Sequence, residues 1–148
     1  LTVFFGFWEE KQFNPNQSPT SNVDGNVREV ILKGNRMHHY LATGTINGRE
    51  VTFLLDTGAS HVSIPAHLAK PLGLIAGSKG YANTANGTVA VYATRLDTLT
   101  LGAISLQNVR ASINPGMEGD EILLGMSALK HIEFTQRDST LILRQYLQ

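Results

Sequence analysis

The chain has 148 residues, no cysteine, and 12 basic against 12 acidic side chains. That length can bury a real core in one globular domain, while the missing cysteines exclude a disulfide-stapled miniprotein and any cysteine-ligated metal site. Zero net charge with no Lys/Arg-rich stretch argues against a nucleic-acid partner, and no run reaches the roughly 20 apolar residues of a membrane-spanning helix.

Leu1 to Trp8 form an aromatic-rich apolar run that ends at the charged step Glu9, Glu10, Lys11. Two readings fit it: the outer end of a truncated membrane helix with Trp8 at the interface, or an amphipathic stub packed on the domain. Glu9 and Glu10 beside one Lys weigh against a cytoplasmic flank. Residues 12–27 read as a polar linker, because Asn, Pro, Gln, Ser, Asp and Gly dominate and only Phe13 and Val23 suit a core. The boundary falls near Arg28, leaving 1–11 as a remnant of a membrane-proximal segment and 28–148 as the folded domain.

From Arg28 onward the signals are mainly those of strands. Asn47-Gly48 separates Ala42 to Ile46 from Val51 to Leu55, and this dipeptide supplies the two positive φ angles of a type I′ hairpin. Val51, Phe53 and Leu55 alternate along one face. Pro65 to Leu72 predicts a short helix with proline in its first turn, interrupted at Pro71. A second Asn-Gly, Asn86-Gly87, separates Tyr81 to Ala85 from Thr88 to Ala93. The apolar phase then flips between Val91 and Leu96, which predicts a bend or bulge. Gly102 punctuates Leu96 to Leu101 and Ile104 to Ile113, Met126 to His131 predicts a second short helix, and Leu141 with Leu143 marks a last strand. The class is all-β with one or two small helices.

Most of the aspartates sit in linker, turn or strand-edge contexts, whereas Asp56 ends the apolar strand Val51 to Leu55 and precedes Thr57, Gly58, Ala59 and Ser60. A carboxylate there is expected to be drawn towards the core, where it needs hydrogen-bond donors. Thr57 and Ser60 supply hydroxyls, and Gly58 lets backbone N–H groups approach. A bare Asp-Thr-Gly is most simply an Asx turn. The wider context says more, because Ile122, Leu123, Leu124 and Gly125 form a second apolar strand ending in glycine just before the second predicted helix.

These elements in this order, the strand into Asp56-Thr57-Gly58-Ala59-Ser60, the hairpin at Asn86-Gly87 and Ile122-Leu-Leu-Gly125 before a short helix, resemble a retropepsin-like aspartic protease. The likeness runs from about Arg28 to Arg144 and is narrowest to the bacterial, membrane-anchored members. It implies a retropepsin-like closed β-barrel with Asp56 as the catalytic aspartate. In that frame Thr57 bonds across a subunit interface, Gly58 and Ala59 pack the loop, Ser60 orients the carboxylate, and Leu124 with Gly125 forms the strand behind it. Tyr81, Asn83, Thr84, Ala85, Asn86 and Gly87 belong to a flap that closes over an extended peptide held by main-chain hydrogen bonds. The resemblance also implies apolar substrate side chains near the cleaved bond.

Aspartic proteases use two carboxylates sharing one proton, and this chain has a single Asp-Thr-Gly, so the implied enzyme is a two-fold homodimer with one Asp56 from each subunit. A bell-shaped, acidic pH profile follows. Ser60 and His61 stand where retroviral enzymes place acidic residues, and the interleaved terminal strands of retroviral dimers have no evident counterpart, which leaves the dimer geometry open. With the apolar start and polar linker, the resemblance implies the periplasmic side of a bacterial inner membrane and an N-terminal anchor.

Competing constellations are thin. His38 and His39 point to opposite faces of a strand, and His61 with His67 lacks the i, i+4 spacing of a helical zinc pair, so no metal and no cofactor is expected. No Gly-x-Ser-x-Gly nucleophile motif or phosphate loop occurs. The alternative to an aspartic endopeptidase is a peptide-binding or dimerisation module that keeps the fold without hydrolysis.

Overall fold

A computed structural model describes residues 13–84 and 87–148. Its strands are β1 (Thr20–Asp24), β2 (Val27–Lys33), β3 (Leu41–Ile46), β4 (Arg49–Leu55), β5 (Val62–Pro65), β6 (Lys79–Thr84), β7 (Gly87–Leu101), β8 (Ile104–Asn114), β9 (Glu121–Leu124), β10 (Glu133–Arg137) and β11 (Thr140–Tyr146). Two one-turn helices, α1 (Ala66–Ala69) and α2 (Met126–Leu129), complete the described elements. Among the described residues no helix is long and apolar enough to cross a membrane, and the run Leu1 to Trp8 lies outside them.

Six strands close on themselves in the order β3-β4-β9-β5-β8-β7, and β7 returns to β3 through Thr45–Thr100 and Ile46–Leu99. Closure removes the sheet edges that would otherwise invite pairing with other chains. The core follows from alternation: Val51 and Phe53 of β4 are buried while Glu50 is exposed and Thr52 half-buried. Leu55 is only partly buried, where the strand runs out of the barrel. Strand β9 lies parallel to β4, with Leu55 opposite Leu124, and Ile122 and Leu124 are buried. A second sheet, in the order β1-β2-β11-β10, contributes Val30, Leu32, Leu141 and Leu143 to the same core.

The β3–β4 turn is the predicted one, with Asn47 at φ 52° and Gly48 at φ 80°, the pair of positive angles that a type I′ turn needs. The stretch read as a linker behaves otherwise. Strand β1 pairs with β2, and Asn14 and Asn16 are buried. Asn16 Nδ2 donates to the carbonyls of Lys33 and Leu41, both at 2.8 Å, while Asn16 Oδ1 accepts from the Lys33 amide at 2.8 Å. The Thr43 amide donates to the Asn16 carbonyl at 3.0 Å. Composition hid this docking because amide side chains, not apolar ones, make it; buried polar groups are retained where every donor finds an acceptor.

The expected bend between Val91 and Leu96 is also displaced. Register between β7 and β8 is unbroken from Tyr92–Ile113 to Leu96–Val109. Val89 and Val91 line an open cleft while Leu96, on the opposite face, enters the core, so the flip records two buried faces rather than a bend. The distortion comes later, where Asn108 adopts φ 56° opposite Asp97. There Asn47 Oδ1 accepts from the amides of Asp97 and Thr98 at 3.0 and 3.2 Å.

Candidate active site

Strand β4 delivers Asp56 to a tight loop. The Asp56 amide donates to the carbonyl of Leu124 at 3.1 Å, extending the parallel ladder by one bond, and the Ala59 amide closes a turn on the Asp56 carbonyl at 3.2 Å. Inside that turn the Gly58 amide donates to Asp56 Oδ1 at 2.9 Å. A Cβ on Gly58 would lie 3.2 Å from that oxygen, so glycine keeps the carboxylate uncrowded.

Gly125 fixes the loop from behind. A Cβ there would fall 2.3 Å from the carbonyl oxygen of His61 and 2.7 Å from that of Ala59, closer than real Cβ atoms come. Its absence lets the Met126 amide reach the Ala59 carbonyl at 2.8 Å. Ser127, which sequence reasoning passed over, is buried and bridges two more strands: its hydroxyl accepts from the Val62 amide at 2.9 Å and donates to the Arg110 carbonyl at 2.7 Å. Only its place one turn behind the Ile-Leu-Leu-Gly strand could have drawn attention to it.

Asp56 itself is exposed in the single chain, contrary to the expectation of a buried carboxylate. The reason is local: β4 ends at Leu55, and the turn that follows carries the side chain over the rim of the barrel. Thr57 and Ser60 are exposed beside it and Ala59 is half-buried. The donor that meets the carboxylate is the Gly58 amide rather than the Ser60 hydroxyl.

Two concavities meet at Asp56. One, of about 770 Å3, has the active-site loop as its floor and the β6–β7 hairpin as its roof, lined there by Tyr81, Asn83, Thr84, Val89 and Val91. Met117, on the loop between β8 and β9, lines it too, and that loop is held by Asn114, whose buried Oδ1 accepts from the Gly116 amide at 2.8 Å. The Asn-Pro-Gly turn is visible in the sequence, but nothing there says it faces Asp56. The hairpin pairs Thr84 with Gly87, and Ala85 and Asn86 lie outside the described residues. Gly87 therefore opens β7, at φ 109°, instead of sitting at the centre of the turn. Tyr81 is 70% exposed, with Lys79 Nζ 5.7 Å from its ring centre.

The other concavity, of about 410 Å3, is reached past Thr57 and is lined by Tyr40, Leu55, Phe134 and Gln136 among others. Phe134, 39% exposed, belongs to β10, the outer strand of the second sheet.

Residues 42–131 match the family model described as "gag-polyprotein putative aspartyl protease". The chain is 31% identical over 112 residues to an uncharacterized protein in the cobV 5′ region of Sinorhizobium sp, a match covering 74% of this chain and 48% of that protein. It spans about half the length of the curated relatives it matches. Among solved structures it is similar to a retropepsin-like aspartic protease from Rickettsia conorii, with TM-score 0.69, 24% identity, and coverage of 87% of this chain and 97% of that one. A more distant likeness is to the EIAV protease in complex with the inhibitor HBY-793, with TM-score 0.50, 20% identity, and coverage of 61% and 84%. The matched stretch takes in the Asp56 loop, the hairpin above it and the glycine strand behind it, and on that ground this chain belongs to the retropepsin-like aspartic protease family.

Proposed function

We propose that the chain is an aspartic endopeptidase that works as a two-fold homodimer, with Asp56 of each subunit forming the catalytic pair. One observation carries this reading: Asp56 lines two concavities at once, a long cleft under the hairpin and a second hollow bounded by Thr57 and the exposed Phe134. A carboxylate with a substrate-sized groove on one side and an uncovered hollow bordered by the exposed Phe134 on the other suits a site completed by a second copy.

In the reaction an ionised Asp56 takes a proton from water, and the oxygen so activated attacks the scissile carbonyl carbon. The protonated Asp56 of the other subunit gives its proton to the carbonyl oxygen. The tetrahedral intermediate then collapses: the Asp56 that took the water proton gives it to the amide nitrogen, and the ionised Asp56 of the other subunit takes a proton from one hydroxyl of the diol. The C–N bond breaks to release amine and carboxylic acid, leaving the pair again with one proton between them. Gly58 N–H holds the carboxylate in place for these transfers. Tyr81, Asn83, Thr84 and Gly87 belong to the hairpin that serves as the lid over the substrate, and Val89, Val91, Met117 and Leu123 favour apolar side chains near the scissile bond.

The test is cleavage of a diverse peptide mixture between about pH 4 and 7, by wild type and by Asp56→Asn, at several protein concentrations. Turnover that rises with concentration and vanishes in the variant supports the reading. Equal background from both proteins, with peptide binding retained, would instead support a binding module on this fold.

A further inference from the structure

The cleft holding Asp56 continues into a neighbouring concavity of about 370 Å3, with His61 and Ser112 lining both. Its charged lining is Arg95 and Arg110, with the His61 imidazole beside them, and no carboxylate lines it. Such one-signed lining is unexpected by chance in a chain of formal net charge +0.

Sheet register assembles the trio. Arg95 of β7 and Arg110 of β8 are direct antiparallel partners, so their side chains leave the same face. The parallel ladder pairs Val62 with Ala111, which sets His61 beside Arg110. Like charges placed directly opposite each other destabilise a sheet. Among the described residues none of the three makes an ion pair to offset this. Arg95 is held instead by Asn108, whose side-chain and main-chain oxygens accept from Nη1 at 3.1 and 3.5 Å. The Asn108 backbone, at φ 56°, is in a conformation uncommon outside glycine. The guanidinium thus bonds to neutral oxygens and has no carboxylate partner among the described residues.

We propose that this concavity is an outer subsite that receives an acidic side chain of the bound peptide, reached from the Asp56 cleft past His61 and Ser112. The ligand class is a peptide carrying Glu or Asp a few residues from the scissile bond, since two neighbouring guanidinium groups match a carboxylate in charge and in donor geometry. The inference rests on the reading of the Asp56 cleft as a peptide site.

Fluorescein-labelled dodecapeptides, identical except for Glu or Gln at one position in turn, would be titrated against Asp56→Asn protein by anisotropy. At one position Glu should bind about fivefold more tightly than Gln, with the preference shrinking as salt rises. Adding Arg95→Gln and Arg110→Gln should abolish the preference while leaving the melting temperature equal or higher, because relief of repulsion is not a loss of packing. No position favouring Glu, or a preference that survives the double replacement, overturns the subsite. Failure of every peptide to bind overturns both the subsite and the peptide cleft. A Glu preference lost in the double variant, with no cleavage of the same peptides by wild type, would uphold the subsite and overturn the endopeptidase reading alone.

Discussion

The carbonyl oxygen of Ala59 and the amide nitrogen of Met126 lie 2.8 Å apart, joining the loop that carries Asp56 to the first residue of the second helix. Gly125 is what permits this approach, since any side chain there would occupy the space of two backbone carbonyls. Backbone cannot yield as a flexible side chain can, so Gly125→Ala should destabilise the protein by about 3 kcal/mol, the upper end of what overpacking costs. Urea denaturation measures this directly; an unchanged midpoint would show that the loop relaxes without strain.

Ser127 satisfies a buried amide on β5 and a carbonyl on β8 at once. Ser127→Ala leaves the Val62 amide without its acceptor, and the expected loss is about 1–3 kcal/mol. Peptide turnover should fall as well, because β5 follows directly from the Asp56 loop. A variant as stable and active as wild type would show that water replaces the hydroxyl.

Asp56→Asn should abolish peptide cleavage, by about a thousandfold or more, while the circular dichroism spectrum and melting curve stay close to wild type. The side chain is exposed in the single chain and contributes no core packing, so fold and turnover should separate cleanly. Retained cleavage would remove Asp56 from the chemistry.

Phe134 borders the hollow beside Thr57 on an outer strand, and in the proposed dimer its burial on pairing would contribute to association. Phe134→Asp should raise the dimer dissociation constant at least about tenfold by sedimentation, with a matching shift in the concentration dependence of activity. A wild-type chain that is monomeric yet fully active at every concentration would sink the dimeric mechanism.

Activity should trace a bell against pH. Two carboxylates that share one proton need one ionised member as base and one protonated member as acid; at low pH the base is lost and at high pH the acid is lost. The maximum is expected on the acid side of neutrality, and a rate still climbing through about pH 8 would be incompatible with the pair.

Much of this was legible in the sequence. Asn47-Gly48 announced its hairpin because only residues tolerant of positive φ serve a type I′ turn, and Val51 and Phe53 announced a core-facing strand because strands alternate. Asp56 was legible as a singular residue because a carboxylate rarely ends an apolar strand. Less was legible where one pattern serves two ends. The phase change before Leu96 read as a bend, and is instead the point where Val89 and Val91 turn to the cleft while Leu96 turns to the core.

By itself, then, the chain's local chemistry determined the elements: turns from positive-φ residues, strands from alternation, and a loop built around Asp56-Thr57-Gly58. Tertiary structure alone decided what those elements meet. Gly125 under the Ala59 carbonyl, Asn16 between Lys33 and Leu41, and Arg95 opposite Arg110 each join residues remote in sequence. Backbone hydrogen bonds and like-charge contacts leave no periodic trace in a sequence, because they depend on register between strands, and register exists only once the barrel has closed.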